Sequence, residues 1–223
     1  MIRRTISQCM LGAALAGFVA TPLAAQTPPL KLGVILDMSG PYADITGPGS
    51  VMATRMAIED AGGEVLGRKI ELLSADHLNK ADIASSTARE WMDNQGVEAL
   101  MDVAASATAL AAIEVAKARN KIVLLSGPGA TRITNEACSP LTVHWAYDTY
   151  ALSKGVGAAL SKAGEDSWFF ITADYAFGHD LEKDTANVVK AMGGKVLGSA
   201  RHPINSADFS SFLLQAQNSK AKV

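Results

Sequence analysis

Lys121-Ile122-Val123-Leu124-Leu125-Ser126-Gly127-Pro128-Gly129-Ala130-Thr131 is the stretch that decides the fold. The apolar run from Ile122 to Leu125 is too short for a helix and does not alternate with polar residues. It reads as a strand covered on both faces, the signature of a parallel sheet lined by helices. The glycines and proline that follow break the strand into a loop. On the N-terminal side the pattern runs outward through a helix Thr108 to Arg119, a strand Ala99 to Val103, a helix Asp82 to Gln95 and a strand Ile70 to Ser74. Before these come a helix Pro48 to Ala61, a loop Asp37 to Tyr42 and a strand Leu32 to Leu36. In the first helix Val51, Met52, Met56 and Ile58 can share a face. On the C-terminal side an extended stretch Leu141 to Trp145 closes this series.

The alternation then restarts. Tyr150 to Ala163 reads as helix, Ser167 to Thr172 as strand, Leu181 to Met192 as helix, Lys195 to Ser199 as strand and Phe209 to Gln217 as helix. Strands separated by helices of this length specify an α/β protein with parallel sheets flanked by helices. The sequence stops at Ala221-Lys222-Val223, where another strand is expected, so it reads as a C-terminally truncated chain with an incomplete second series.

The N-terminus carries an export signal pattern. Arg3 and Arg4 precede an uncharged run from Met10 to Ala20, and Ala24 and Ala25 close the segment before Gln26. A charged start, a short apolar run and small residues at the cleavage point mark a cleavable signal peptide over residues 1–25 and a location outside the cytoplasm. The run is well below the roughly 20 residues a membrane-spanning helix needs. Cys9 lies ahead of the run, so it is not placed for lipid attachment. Removing the two arginines leaves 18 basic and 22 acidic side chains, a balance that supplies no basic surface for nucleic acid. Only Cys138 remains after processing, so no internal disulfide can form and stability must come from an apolar core.

In open parallel sheets, ligands bind beyond the carboxyl ends of the strands, at loops that lead into helix N-termini. There the free N–H groups favour anions. Asp37 to Tyr42, Ala104 to Thr108, Ser126 to Thr131 and Ala173 to Gly178 qualify. Ser106 could receive a ligand hydrogen bond or cap its helix. Ser126 to Thr131 could offer amides and the Thr131 hydroxyl, or form a tight turn. Tyr42, Trp145, Tyr147, Tyr175 and Phe177 fall at the same strand ends, where their faces could line a cleft.

Catalytic and metal chemistry find less support. Gly127-x-Gly129 continues to Arg132 where a dinucleotide fingerprint wants a glycine, and no Gly-Lys-Ser/Thr follows to make a phosphate loop. His77, His144, His179 and His202 lack metal-ligand spacing. Asp174, His179 and Asp180 read as a loop and first helical turn, since no Gly-x-Ser-x-Gly elbow supplies a nucleophile. Asp76-His77 reads as a turn. Met52 and Met56 read as core, not as a soft-metal pair. No cofactor, metal or catalytic residue is assigned.

Several motifs resemble the leucine/isoleucine/valine-type periplasmic binding proteins of ABC importers. They are Met38-Ser39-Gly40-Pro41, Ala57-Ile58-Glu59-Asp60, Val65-Leu66-Gly67-Arg68, Ser126-Gly127-Pro128-Gly129-Ala130-Thr131 and Asp174-Tyr175-Ala176-Phe177-Gly178. The resemblance implies a two-lobe type I periplasmic-binding fold, with an N-terminal lobe over 26–147 and a partial second lobe over 148–223. By the same resemblance, Ser106 and Thr131 would hold a ligand carboxylate, assisted by backbone groups of Ala107, Gly129 and Ala130. Tyr42, Tyr175 and Phe177 would face the ligand, with Phe177 where amino-acid binders often carry tyrosine. The implied function is capture of a small carboxylate-bearing solute, an amino acid or an organic or aromatic acid, for delivery to an inner-membrane ABC permease. A periplasmic sensor or accessory ligand-binding subunit is the alternative, and an enzyme the third reading.

Overall fold

A computed structural model describes residues 27–223; the signal-peptide assignment lies outside them. The chain runs β1 (Leu30–Leu36), α1 (Gly47–Asp60), β2 (Glu64–Val65), β3 (Arg68–Asp76) and α2 (Ala81–Glu90). A wide π turn (Trp91–Gln95) leads to β4 (Val97–Met101), α3 (Ser106–Lys117), β5 (Ile122–Leu125), a 3-10 turn (Thr131–Ile133) and β6 (Thr142–His144). Then follow α4 (Thr149–Lys162), β7 (Ser167–Ala173), α5 (Ala176–Ala191), β8 (Lys195–His202) and α6 (Ser210–Ser219).

These elements form two α/β lobes. The first holds a six-stranded sheet in the order β2-β3-β1-β4-β5-β6, and the second holds β7 paired with β8. Every pairing is parallel except β2 with β3. That exception is a hairpin closed by Leu66-Gly67, both at positive φ, which matches the twist of the flanking strands. The last residues lie beside β7, where the Phe169 amide donates to the Val223 carbonyl at 2.8 Å.

The core of the first lobe sits between its sheet and the α2 and α3 helices. Ile35, Leu100, Ile113 and Leu125 are fully buried or nearly so, each contributing about 1.5–3 kcal/mol by burial. Trp91 and Met92, on the π turn, close the same core. The opposite face is only partly covered. There α1 buries Val51, while Met52 and Met56 are exposed, so the expectation of a methionine core pair fails. Beside α1 lies an open groove of about 490 Å³ bounded by Ala53, Thr54, Met101, Leu124, Val143 and Trp145. For the same reason β5 is buried on one face alone, with Val123 and Leu125 inside and Ile122 exposed. Full two-sided burial of that strand is not observed.

The second series differs from its sequence reading mainly at α5, which begins at Ala176 and not at Leu181. Gly178 read as a loop residue, yet it packs in the first helical turn. A Cβ there would lie 2.0 Å from the Ala173 carbonyl oxygen, so close approach of helix to strand requires glycine at this position.

Candidate functional site

The loops at the carboxyl ends of β1, β4, β5 and β7 converge on one cleft of about 220 Å³. It is lined by Tyr42, Ile45 and Thr46 after β1, Ala105 and Ser106 after β4, Gly127, Pro128 and Gly129 after β5, Tyr147 before α4, and Tyr175 and Phe177 after β7. No charged side chain is among them.

Ser106 opens α3 instead of capping it, since Ala105 occupies the cap position and no side-chain cap bond forms. Its hydroxyl is almost wholly buried and accepts the Ala130 amide at 3.1 Å. That leaves the Ser106 proton free to donate toward the cleft. Asp37, fully buried, shapes the first wall by accepting the amides of Gly40 at 2.8 Å and Tyr42 at 2.9 Å. The Tyr42 hydroxyl then reaches across to the Tyr175 hydroxyl at 2.8 Å, joining the two lobes. Burial, followed by that hydrogen bond, pushes the Tyr175 phenol well above the usual tyrosine range, so it keeps its proton. Tyr175 in turn stacks beside Phe177, with ring centroids 6.1 Å apart. Gly129 fills the floor, because a Cβ there would lie 2.9 Å from Tyr147 and 3.1 Å from Phe177.

Of the eight residues expected to bind, Tyr42, Ser106, Gly129, Tyr175 and Phe177 line this cleft. Ala107, Ala130 and Thr131 do not. The Ala130 amide is spent on Ser106. The Thr131 hydroxyl bonds to Thr149 at 2.6 Å and Asp184 at 2.8 Å. Trp145 points away, 82% exposed, into the groove beside α1. Ala105 and Pro128 lie in loops the sequence marked, whereas Ile45 and Thr46 fall beyond the Asp37 to Tyr42 loop and were not singled out; aliphatic or small residues in loops carry no signal of their own.

Asp37, Asp76 and His77 gather within metal-ligand distance of one another, but each is already engaged. His77 Nε2 pairs with the Ala104 carbonyl at 2.9 Å and Nδ1 accepts the Asn79 amide at 2.9 Å, while Asp76 accepts from Ser39 and from the Met38 and Leu78 amides. The group braces the ends of β1, β3 and β4 behind the cleft.

Residues 29–223 match a family model described as periplasmic binding protein. The chain belongs to that family. A periplasmic binding protein from Burkholderia mallei is 58% identical with a TM-score of 0.84, over 86% of this chain and 52% of that one. A branched chain amino acid ABC transporter periplasmic ligand-binding protein from Burkholderia xenovorans LB400 is 40% identical with a TM-score of 0.68, over 86% and 51%. A solute binding protein of an ABC transporter from Rhodopseudomonas palustris BisB5, in complex with 3,4-dihydroxybenzoic acid, is 27% identical with a TM-score of 0.75, over 86% and 52%. The chain spans about half the length of the curated relatives it matches, 56% of the Leu/Ile/Val-binding protein homologues of Brucella. Periplasmic binding proteins are extracytoplasmic solute-binding proteins and not enzymes. Among the described residues no helix is long and apolar enough to cross a membrane.

Proposed function

We propose that this periplasmic binding protein captures a small carboxylate-bearing solute between its two lobes, divided near Asp148, and delivers it to an ABC permease of the inner membrane. The observation that carries this reading is the makeup of the cleft: a buried serine with a free proton at the start of α3, aromatic walls from both lobes, and no charged side chain. The Ser106 hydroxyl and the positive end of α3 favour the carboxylate. Tyr42, Tyr147, Tyr175 and Phe177 favour a flat or apolar body. At about 220 Å³ the space suits a solute of single-ring size, below the usual range for larger ligands.

An aromatic or other organic acid is the preferred solute class over branched-chain amino acids. Phe177 offers no hydroxyl to orient an ammonium group, and no acidic side chain lines the cleft. The solved relative with 3,4-dihydroxybenzoic acid supports this class, and the relative named for branched-chain amino acids supports the alternative. Calorimetric titration of the full-length protein with 3,4-dihydroxybenzoate and with leucine decides between them. Binding of the acid with leucine silent is expected; tight leucine binding with no response to the acid would overturn the assignment.

A further inference from the structure

The lobes also meet just behind the cleft, through polar contacts that the solute does not need. Asp184 Oδ2 accepts the Thr131 hydroxyl at 2.8 Å and the Thr149 hydroxyl at 2.7 Å. The Thr131 oxygen accepts the Tyr150 amide at 2.9 Å, and the Thr131 amide donates to the Thr149 oxygen at 3.1 Å. One turn earlier on α5, the almost fully buried Asp180 accepts the Arg132 amide at 3.2 Å and the Arg132 Nε at 2.9 and 3.0 Å. A further ion pair joins Arg132 Nη2 to the same carboxylate.

Two features of this seam bear on the cleft. Phe177, Asp180 and Asp184 stand at i, i+3 and i+7 on α5, so the face gripped by the seam is the face that presents Phe177 to Gly129. On the other side, Thr131 and Arg132 lie two and three residues after Gly129, the floor of the cleft. Any change at the seam must therefore alter how closely Phe177 approaches Gly129. Thr131 has one proton, which is taken up by Asp184 or Thr149, while its oxygen holds the Tyr150 amide. Nothing is left for a carboxylate.

We infer that Thr131, Arg132, Asp180 and Asp184 form a clamp that sets the spacing of the Phe177–Gly129 wall, so that Thr131 is a positioning residue and not a solute contact. The inference rests on the cleft being the solute site, but its first test needs no solute. In the ligand-free chain, the Gly129 amide and α-proton resonances report the ring currents of Tyr147 and Phe177. Thr131→Val and Asp184→Ala should shift them in the same direction, and the double variant should shift them by less than the sum of the two, because the Thr131–Asp184 bond is lost in both. Thr131→Ser keeps the hydroxyl and should restore the original positions. In full-length protein, with 3,4-dihydroxybenzoate, leucine and the corresponding amides as probes, Thr131→Val should weaken acid and amide by the same factor. Ser106→Ala should weaken the acid alone. Unmoved Gly129 resonances, additive shifts, or a Thr131→Val loss confined to the acid would overturn the clamp, whichever solute class proves correct.

Discussion

Ser106, Gly129 and His77 each do a different job, and each job carries its own test. Removing the Ser106 hydroxyl takes away a donor to a charged group, so Ser106→Ala should weaken solute binding by about 1–3 kcal/mol. Isothermal titration reads the loss directly. Gly129→Ala drives a methyl into Tyr147 and Phe177 and should lower affinity about tenfold or more while the melting temperature moves little, since both rings border open space. His77 behaves oppositely: burial holds its imidazole below the ordinary value of 6.5, against the raising effects of the Ala104 carbonyl, Asp37 and Asp76. The unfolded chain then binds the extra proton more readily, so stability is intact above pH 6.5 and declines as pH falls below it. Urea midpoints at pH 7.5 and pH 5.5 should separate for the native chain and converge for His77→Gln. At this scale the sequence showed which loops matter but not which atoms are free. Ser106 and Thr131 looked equivalent as loop hydroxyls, and the distant Thr149 and Asp184 distinguish them.

At the scale of elements, the alternation of strands and helices was legible because each strand is a short apolar run and each helix a longer periodic one. What escaped was set by tertiary contact. The two-residue strand β2 is too short to show a period. The α5 start was hidden because Gly178 weakens any helical reading, although packing against Ala173 demands it. The exposed Met52 and Met56 had the right spacing for a core, but periodicity cannot tell whether anything lies opposite a face. The hairpin offers a prediction of its own. Leu66 is 95% exposed and held at φ 51°, a region where a branched side chain is disfavoured by roughly 1–2 kcal/mol and asparagine is tolerated. Leu66→Asn should therefore raise the unfolding free energy by up to about 1 kcal/mol, read as a higher denaturation midpoint.

The whole molecule places two sheets on either side of a mostly polar seam. Each lobe is held by its own sheet, and between them run hydroxyl, carboxylate and guanidinium contacts together with the Tyr42–Tyr175 bond. Such an interface is easier to reorganise than a packed apolar one, consistent with lobes that change their separation. The same view shows where apolar surface stays uncovered. Met101, Leu124, Val143 and Trp145 line the groove beside α1, the last two of them exposed, a patch of the kind that binds apolar dyes and promotes association. The described chain should enhance the fluorescence of anilinonaphthalene sulfonate in its native state, and Trp145→Lys should reduce that signal. An unchanged signal would mean the groove is not the dye site.

Cys138 is the free cysteine among the described residues, and it is exposed. It lies six residues after Arg132, beyond the 3-10 turn, in the same loop as Glu136, which faces Lys183 of α5 at 3.7 Å. A thiol-reactive fluorophore attached there would stand outside the cleft, two residues along the chain from the Glu136–Lys183 contact between the lobes. Any solute that changes the lobe separation would change the polarity around the dye without touching it. The molecule thus carries a ready attachment point for an optical sensor, one whose colour or brightness would follow the concentration of its solute in real time.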